Sequence, residues 1–242
     1  LLGLLGGHTW LLTGDIALWV AGDAPPLVSF ALDERAPRVA AALAAGAALA
    51  LSGALVQATC RNPLAEPGLL GITGGAGVGA VLVITGGVST FAESGTAPGT
   101  AAVLAAGTIG ALVSFALVYG LSWRGGLDAD RLVLIGIGVW AGSTAISTFL
   151  LVRANPWDTP RIYTWLAGTT YGRSWDEVLP VTLALVLALP IAFAARRELD
   201  LLAVDEDTPR LAGIGLERSR LLLLGTAALL AAMSVAAVGV VA

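Results

Sequence analysis

Few residues in this 242-residue chain are able to carry covalent or acid–base chemistry. His8 is the only histidine and Cys60 the only cysteine, so neither a zinc set such as HExxH or CxxC nor a Cys–His nucleophile pair can be assembled. His8 reads as an ordinary interfacial residue and Cys60 as a packing residue. All 13 basic residues are Arg. The absence of Lys excludes a Schiff-base lysine and the phosphate-binding lysine of a P-loop ATPase. The carboxylates lie in loops, mostly beside Arg. No catalytic residue and no metal site is assigned.

What the sequence does offer is recognition chemistry, in four places. Asp33-Glu34-Arg35-Ala36-Pro37-Arg38 presents two guanidinium forks, Arg35 and Arg38, three residues apart. They are suited either to lipid phosphates or to the carboxylates of a partner. Arg61-Asn62-Pro63-Leu64-Ala65-Glu66-Pro67 is a turn bracketed by two prolines. In it Asn62 is placed to cap and Glu66 to face the N-terminus of the following helix. Ser143, Thr144, Ser147 and Thr148 form two stacked hydroxyl pairs at helical spacing, 143/147 and 144/148. They can bond back to the preceding turn or face a hydrated cavity. Residues 196–220 combine charge with Leu, and Asp207 or Thr208 can cap a short helix with Pro209 at its first position and Gly213 or Gly215 at its end. Such a segment reads as a docking surface or as a solvated surface loop.

The elements that hold these groups follow from composition. Apolar residues make up 57% of the chain and charged residues only 12%, against about 25% charged in soluble domains. A net charge of −4 offers no basic footprint for nucleic acid, and one Cys makes no disulfide framework. Crossing a ~30 Å hydrocarbon core takes roughly 20 apolar residues. Six runs qualify, giving spans at about 39–57, 69–87, 98–121, 132–152, 178–195 and 221–241. The runs are too long for strands and lack barrel alternation. The expected fold is all-α, a polytopic transmembrane helix bundle, with residues 1–242 as a single membrane domain in contact with lipid. Residues 1–5 read as the tail of an earlier span and the chain stops inside an apolar run, so both ends read as cut. Loops 58–68, 122–131 and 196–220 hold eight Arg against five in the alternate set, which places the first set in the cytoplasm. Trp157, Tyr163, Trp165, Tyr171 and Trp175 then form an outer interfacial belt. Gly71, Gly75 and Gly79 in the second span, and Gly138 and Gly142 in the fourth, recur every four residues and read as helix-packing faces. The run from Gly75 to Gly79 lacks the strand and acidic residue of a dinucleotide loop. No ionisable residue sits mid-span, which counts against an ion-coupled secondary transporter.

Gln57, the run from Arg61 to Pro67 and the Gly-rich continuation through Gly71 and Gly75 resemble the signature of FecCD-type ABC permeases, which import iron-siderophores, haem and cobalamin. Trp165-Leu166-Ala167-Gly168, Gly172-Arg173-Ser174-Trp175 and residues 205–215 extend the resemblance along nearly the whole chain. It implies about ten helices, of which six are complete here, and a multi-pass subunit of the bacterial cytoplasmic (inner) membrane. The implied partners are a second permease subunit or fused half, two cytoplasmic ATPases and an extracytoplasmic substrate-binding protein. No cofactor is implied in this chain; ATP and Mg belong to the partner ATPases. By the same resemblance Arg35 and Arg38 dock the binding protein. Asp205, Glu206, Asp207, Thr208, Pro209, Arg210, Leu211 and Gly213 form the coupling helix, and Ser143, Thr144, Ser147 and Thr148 line the pathway. The chain departs from the pattern at Ala36, Asp205, Pro209 and Leu211-Ala212. The implied cargo is a ferric siderophore, with haem and cobalamin as alternatives.

Overall fold

The computed structural model describes residues 2–5, 10–86, 99–124, 126–204 and 215–240. Regular structure among the described residues is helical, apart from one isolated bridge between Trp123 and Leu127. The helices are α1 (Leu2–Leu5), α2 (Thr13–Ala21), α3 (Pro26–Cys60), α4 (Ile72–Ile84), α5 (Thr100–Ser122), α6 (Ala129–Arg153), α7 (Thr159–Ala167), α8 (Trp175–Ala194), α9 (Arg196–Val204) and α10 (Leu216–Val238), with a 3-10 turn at Pro67–Leu70 before α4. His8 lies outside the described residues.

Five helices, α3, α5, α6, α8 and α10, are long and apolar enough to cross a bilayer. The expected second span is different: α4 has only 13 residues. Its uncharged run is long enough for a full helix, but the run opens with the 3-10 turn and then Gly71 at φ +76°. A Cβ at Gly71 would also come within 2.7 Å of Ser114 Oγ. The Ser114 hydroxyl donates to the Gly71 carbonyl at 2.8 Å. Leu69 meanwhile abuts Gly136, two turns inside α6. After Cys60 the chain therefore folds back into the bundle before α4 begins. Non-helical backbone at membrane depth persists only where protein or a cavity surrounds it.

The first span is also longer than its charge-free stretch. α3 has 35 residues and starts at Pro26, so Arg35 and Arg38 lie within it rather than in a loop. A helix of that length rises about 52 Å, well beyond the ~30 Å core, so the charged stretch 33–38 and the turns before it extend past the core. Pro37 forfeits one intrahelical hydrogen bond there without ending the helix.

α10 is the central post. Most of its residues are buried, and it packs on α3, α5, α8 and α4. Ser52 donates to the Ala227 carbonyl at 2.7 Å, and Ser234 reaches the Ala45 carbonyl at 3.5 Å, so α3 and α10 run antiparallel. α4 is held between α5 and α6. A Cβ at Gly75 would strike the Gly110 carbonyl oxygen, and one at Gly79 that of Ala106. Small residues thus allow backbone-to-backbone contact where lipid supplies no hydrophobic drive. Gly138 and Gly142 make no such contact among the described residues, where an added Cβ at either meets nothing within 4 Å. The close approach on α6 is made instead by Gly136. Trp165 also leaves the expected belt. It is 6% exposed and belongs to the core, whereas Trp157, Tyr163, Tyr171 and Trp175 are exposed.

Candidate functional site

α6 starts from a side-chain cap, with Asp128 accepting from the Arg131 amide at 2.9 Å. Its four hydroxyls split between two faces. Ser147 is buried and Ser143 half-buried, both toward α4; a Cβ at Gly74 would lie 2.9 Å from Ser143 Cβ, and one at Gly77 3.5 Å from Ser147 Oγ. Thr144 and Thr148 are exposed. They bond back to the Trp140 and Thr144 carbonyls, each at 2.9 Å. With Trp140, Ala145, Phe149 and Val152 they line an open groove along α6. Back-bonding spends each Thr donor inside its own helix and leaves the oxygen and methyl outward. The groove is therefore weakly polar, with no charged group among its lining residues.

A second hollow, about 530 Å³, lies between the 3-10 turn, α3, α6 and α10. Leu49, Glu66, Thr73, Trp140, Val235 and Val240 are among its walls. Glu66 occupies the cap position of the 3-10 turn without a capping hydrogen bond. Its carboxylate instead borders the hollow. The turn before it is built locally. Arg61 takes a left-handed conformation (φ 51°) as the cap of α3, and the Asn62 amide returns to the Gln57 carbonyl at 3.1 Å. Asn62 Oδ1 accepts from the Leu64 amide at 2.9 Å, an Asx turn rather than a helix cap. Gln57, Arg61, Asn62, Pro63 and Leu64 face outward, and Ala65 is buried.

At the opposite end, Arg35 Nη1 donates to the Leu4 carbonyl at 3.0 Å. Arg38 Nη2 donates to Glu34 at 2.7 Å, and its guanidinium stacks over the Tyr171 ring at 4.6 Å. Trp19 Nε1 donates to Asp33 at 2.8 Å. The two Arg thus share a helix face and already have partners within the chain. Asp205, Glu206, Asp207, Thr208, Pro209, Arg210, Leu211 and Gly213 lie outside the described residues. Of their flanks, α9 buries Leu202, and Gly215 opens α10.

Two polar clusters were not singled out from the sequence. Glu177, 3% exposed, accepts from the Ser174 amide and hydroxyl at 2.9 and 2.6 Å, with Arg173 at 3.8 Å. Burial lowers the Arg173 guanidinium from its ordinary value, and Glu177 opposes that shift. The Ser-x-x-Glu box opening α8 was the available signal. In the other cluster, Arg220 Nη1 donates to the Leu127 carbonyl at 2.9 Å, and the Leu127 amide donates to Glu217 at 3.2 Å. Arg220 had counted only toward topology.

Comparison with known proteins agrees with this architecture. The chain is 36% identical over 238 residues to the ferric enterobactin transport system permease protein FepG of Escherichia coli (strain K12), covering 98% of this chain and 69% of that protein. It is 36% identical to the iron-uptake system permease protein FeuC of Bacillus subtilis (strain 168), covering 79% and 57%. It is 32% identical to the cobalamin import system permease protein BtuC of Halobacterium salinarum, covering 86% and 54%. The chain thus spans little more than half the length of two of these relatives. A solved transporter structure assigned to the metal-chelate ABC type, in an inward-facing conformation, superposes with a TM-score of 0.84 at 26% identity, covering 100% of this chain and 72% of that one. The model of the FecCD transport family matches residues 1–242, and the chain belongs to that family.

Proposed function

We propose that this multi-pass membrane protein is the permease subunit of an ATP-driven ABC importer that takes up ferric siderophores. The observation that carries the reading is the similarity, across 98% of the chain, to a permease named for ferric enterobactin transport. The uncharged, hydroxyl-bearing α6 groove supports it: a surface that binds a large chelate weakly lets it leave. The permease performs no covalent chemistry. Two partner ATPases bind and hydrolyse ATP with Mg and switch the pathway between its two sides through residues 205–213. A second permease copy or half completes the pathway, and a binding protein delivers cargo at the Arg35/Arg38 end. Docking there exchanges the Arg38–Glu34 pair for acidic groups of the partner, which exposed, partly solvated ion pairs permit at little cost.

The test is uptake by the full-length permease reconstituted with its ATPase and binding protein in proteoliposomes. ATP-dependent accumulation of iron-labelled siderophore is expected, with loss on Arg35→Glu plus Arg38→Glu. Accumulation of cobalamin but no ferric chelate would move the substrate to the class named for the Halobacterium relative. Uptake driven by an ion gradient without ATP would overturn the assignment.

A further inference from the structure

Leu127 is held at both ends of its backbone by one turn of another helix. Its amide donates to Glu217 and its carbonyl accepts from Arg220, three residues apart at the start of α10. Leu127 is 7% exposed and Arg220 2%. Buried backbone groups need partners, and an ionised partner strengthens the hydrogen bond that supplies one. A lone structural arginine would satisfy one group. Here an acid and a base engage the donor and the acceptor of the same residue, which fixes its position in two directions.

The place of that residue in the chain gives the contact its meaning. Leu127 directly precedes Asp128, the N-cap of α6. At the far end of the same two helices, the Thr169 amide donates to the Val238 carbonyl at 2.6 Å, tying the segment after α7 to the last turn of α10. α10 therefore grips the segment that opens α6 at one end and the α7–α8 connection at the other. Between these ties, the hollow bordered by Trp140 of α6 and Val235 of α10 separates the two helices. The pair is joined where α6 begins and spaced further along.

We infer that Glu217 and Arg220 are positioning residues that make α10 the lever on α6, so that displacement of the α10 N-terminus re-aims the helix carrying Thr144 and Thr148. This rests on the permease reading above. Neither residue touches cargo; each acts through the Leu127 peptide. The tie at Thr169 and Val238 holds the other end of α10 to the α7–α8 connection, so that the N-terminal end is the one left to move α6.

The experiment uses the full-length permease in the assembled transporter, reconstituted in liposomes, with cargo uptake and ATP hydrolysis measured on the same preparation. Arg220→Met and Glu217→Ala are expected to keep ATP hydrolysis within about twofold of wild type. Both should lower cargo imported per ATP by tenfold or more, with Arg220→Lys recovering part of the ratio. Hydrogen exchange at residues 123–128 should rise in the same variants. If Arg220→Met does not assemble, Glu217→Ala at a half-buried position carries the measurement. An unchanged import-per-ATP ratio in an assembled variant overturns the lever. A wild-type transporter without ATP-driven uptake overturns the permease reading instead. In that case unchanged exchange at 123–128 in the variants overturns the clamp on its own.

Discussion

α4 and α6 both carry glycines four residues apart, and they use them in opposite ways. In α4 the glycines are covered: Gly75 meets Gly110 and Gly79 meets Ala106. In α6, Gly138 and Gly142 are exposed, and an added Cβ at either meets nothing within 4 Å among the described residues. α4 is nearly enclosed by protein, whereas α6 buries little of its surface. A repeat of small residues thus identifies a face, and whether that face is spent on its own subunit depends on what stands opposite. α4 spends its face on holding the bundle together. α6 leaves its face open within this chain.

The sharpest way to break this contrast is to place the same large side chain in both repeats. Gly75→Leu forces a branched side chain onto the Gly110 backbone, which cannot yield without separating α4 from α5. Overpacking costs about 1–3 kcal/mol where side chains can adjust, and more here. Loss of a monodisperse, folded full-length permease in detergent is expected. Gly142→Leu should leave its melting temperature close to wild type, with stability changed by roughly 0.5 kcal/mol or less. Equal damage from both would end the distinction.

A smaller effect tests the edge of the covered region. Ser114→Ala removes the hydroxyl that satisfies the Gly71 carbonyl. A cost of about 1 kcal/mol is expected in thermal or denaturant unfolding, the worth of one buried hydrogen bond. The least perturbing test separates the two faces of α6. In a Cys60→Ser background, Thr148→Cys should react with a water-soluble thiol reagent in membranes and Ser147→Cys should not. Equal labelling would mean that the hydroxyl rows are not divided as the packing against Gly77 indicates.

Much of the architecture was legible in the sequence, because apolar length and charge placement are direct consequences of the bilayer. Four of the long helices begin and end within a few residues of the expected spans. α3 was cut short because uncharged length locates the hydrocarbon core and not the helix, which continues through Arg38 and Arg35 into polar surroundings. α4 was overextended for the converse reason: residues 67–71 are apolar enough for the core, yet Pro67 and Gly71 break the helix there. Helical spacing paired 143 with 147 and 144 with 148, but only the neighbouring α4 decides which pair is covered. Trp165 shows the same limit, since a tryptophan in an outer segment fits an interfacial belt and a core equally well until Gly107 is found opposite its ring. Nothing in sequence spacing brings Leu127 to Glu217 and Arg220, which lie about ninety residues further on.

The shortness of α4 has a consequence for what must surround it. Thirteen residues of helix rise about 20 Å, some 10 Å less than the hydrocarbon thickness. A helix that short cannot span the core by itself, so the 3-10 turn and Gly71 that precede it lie at membrane depth with α5 and α6 packed around them in place of lipid.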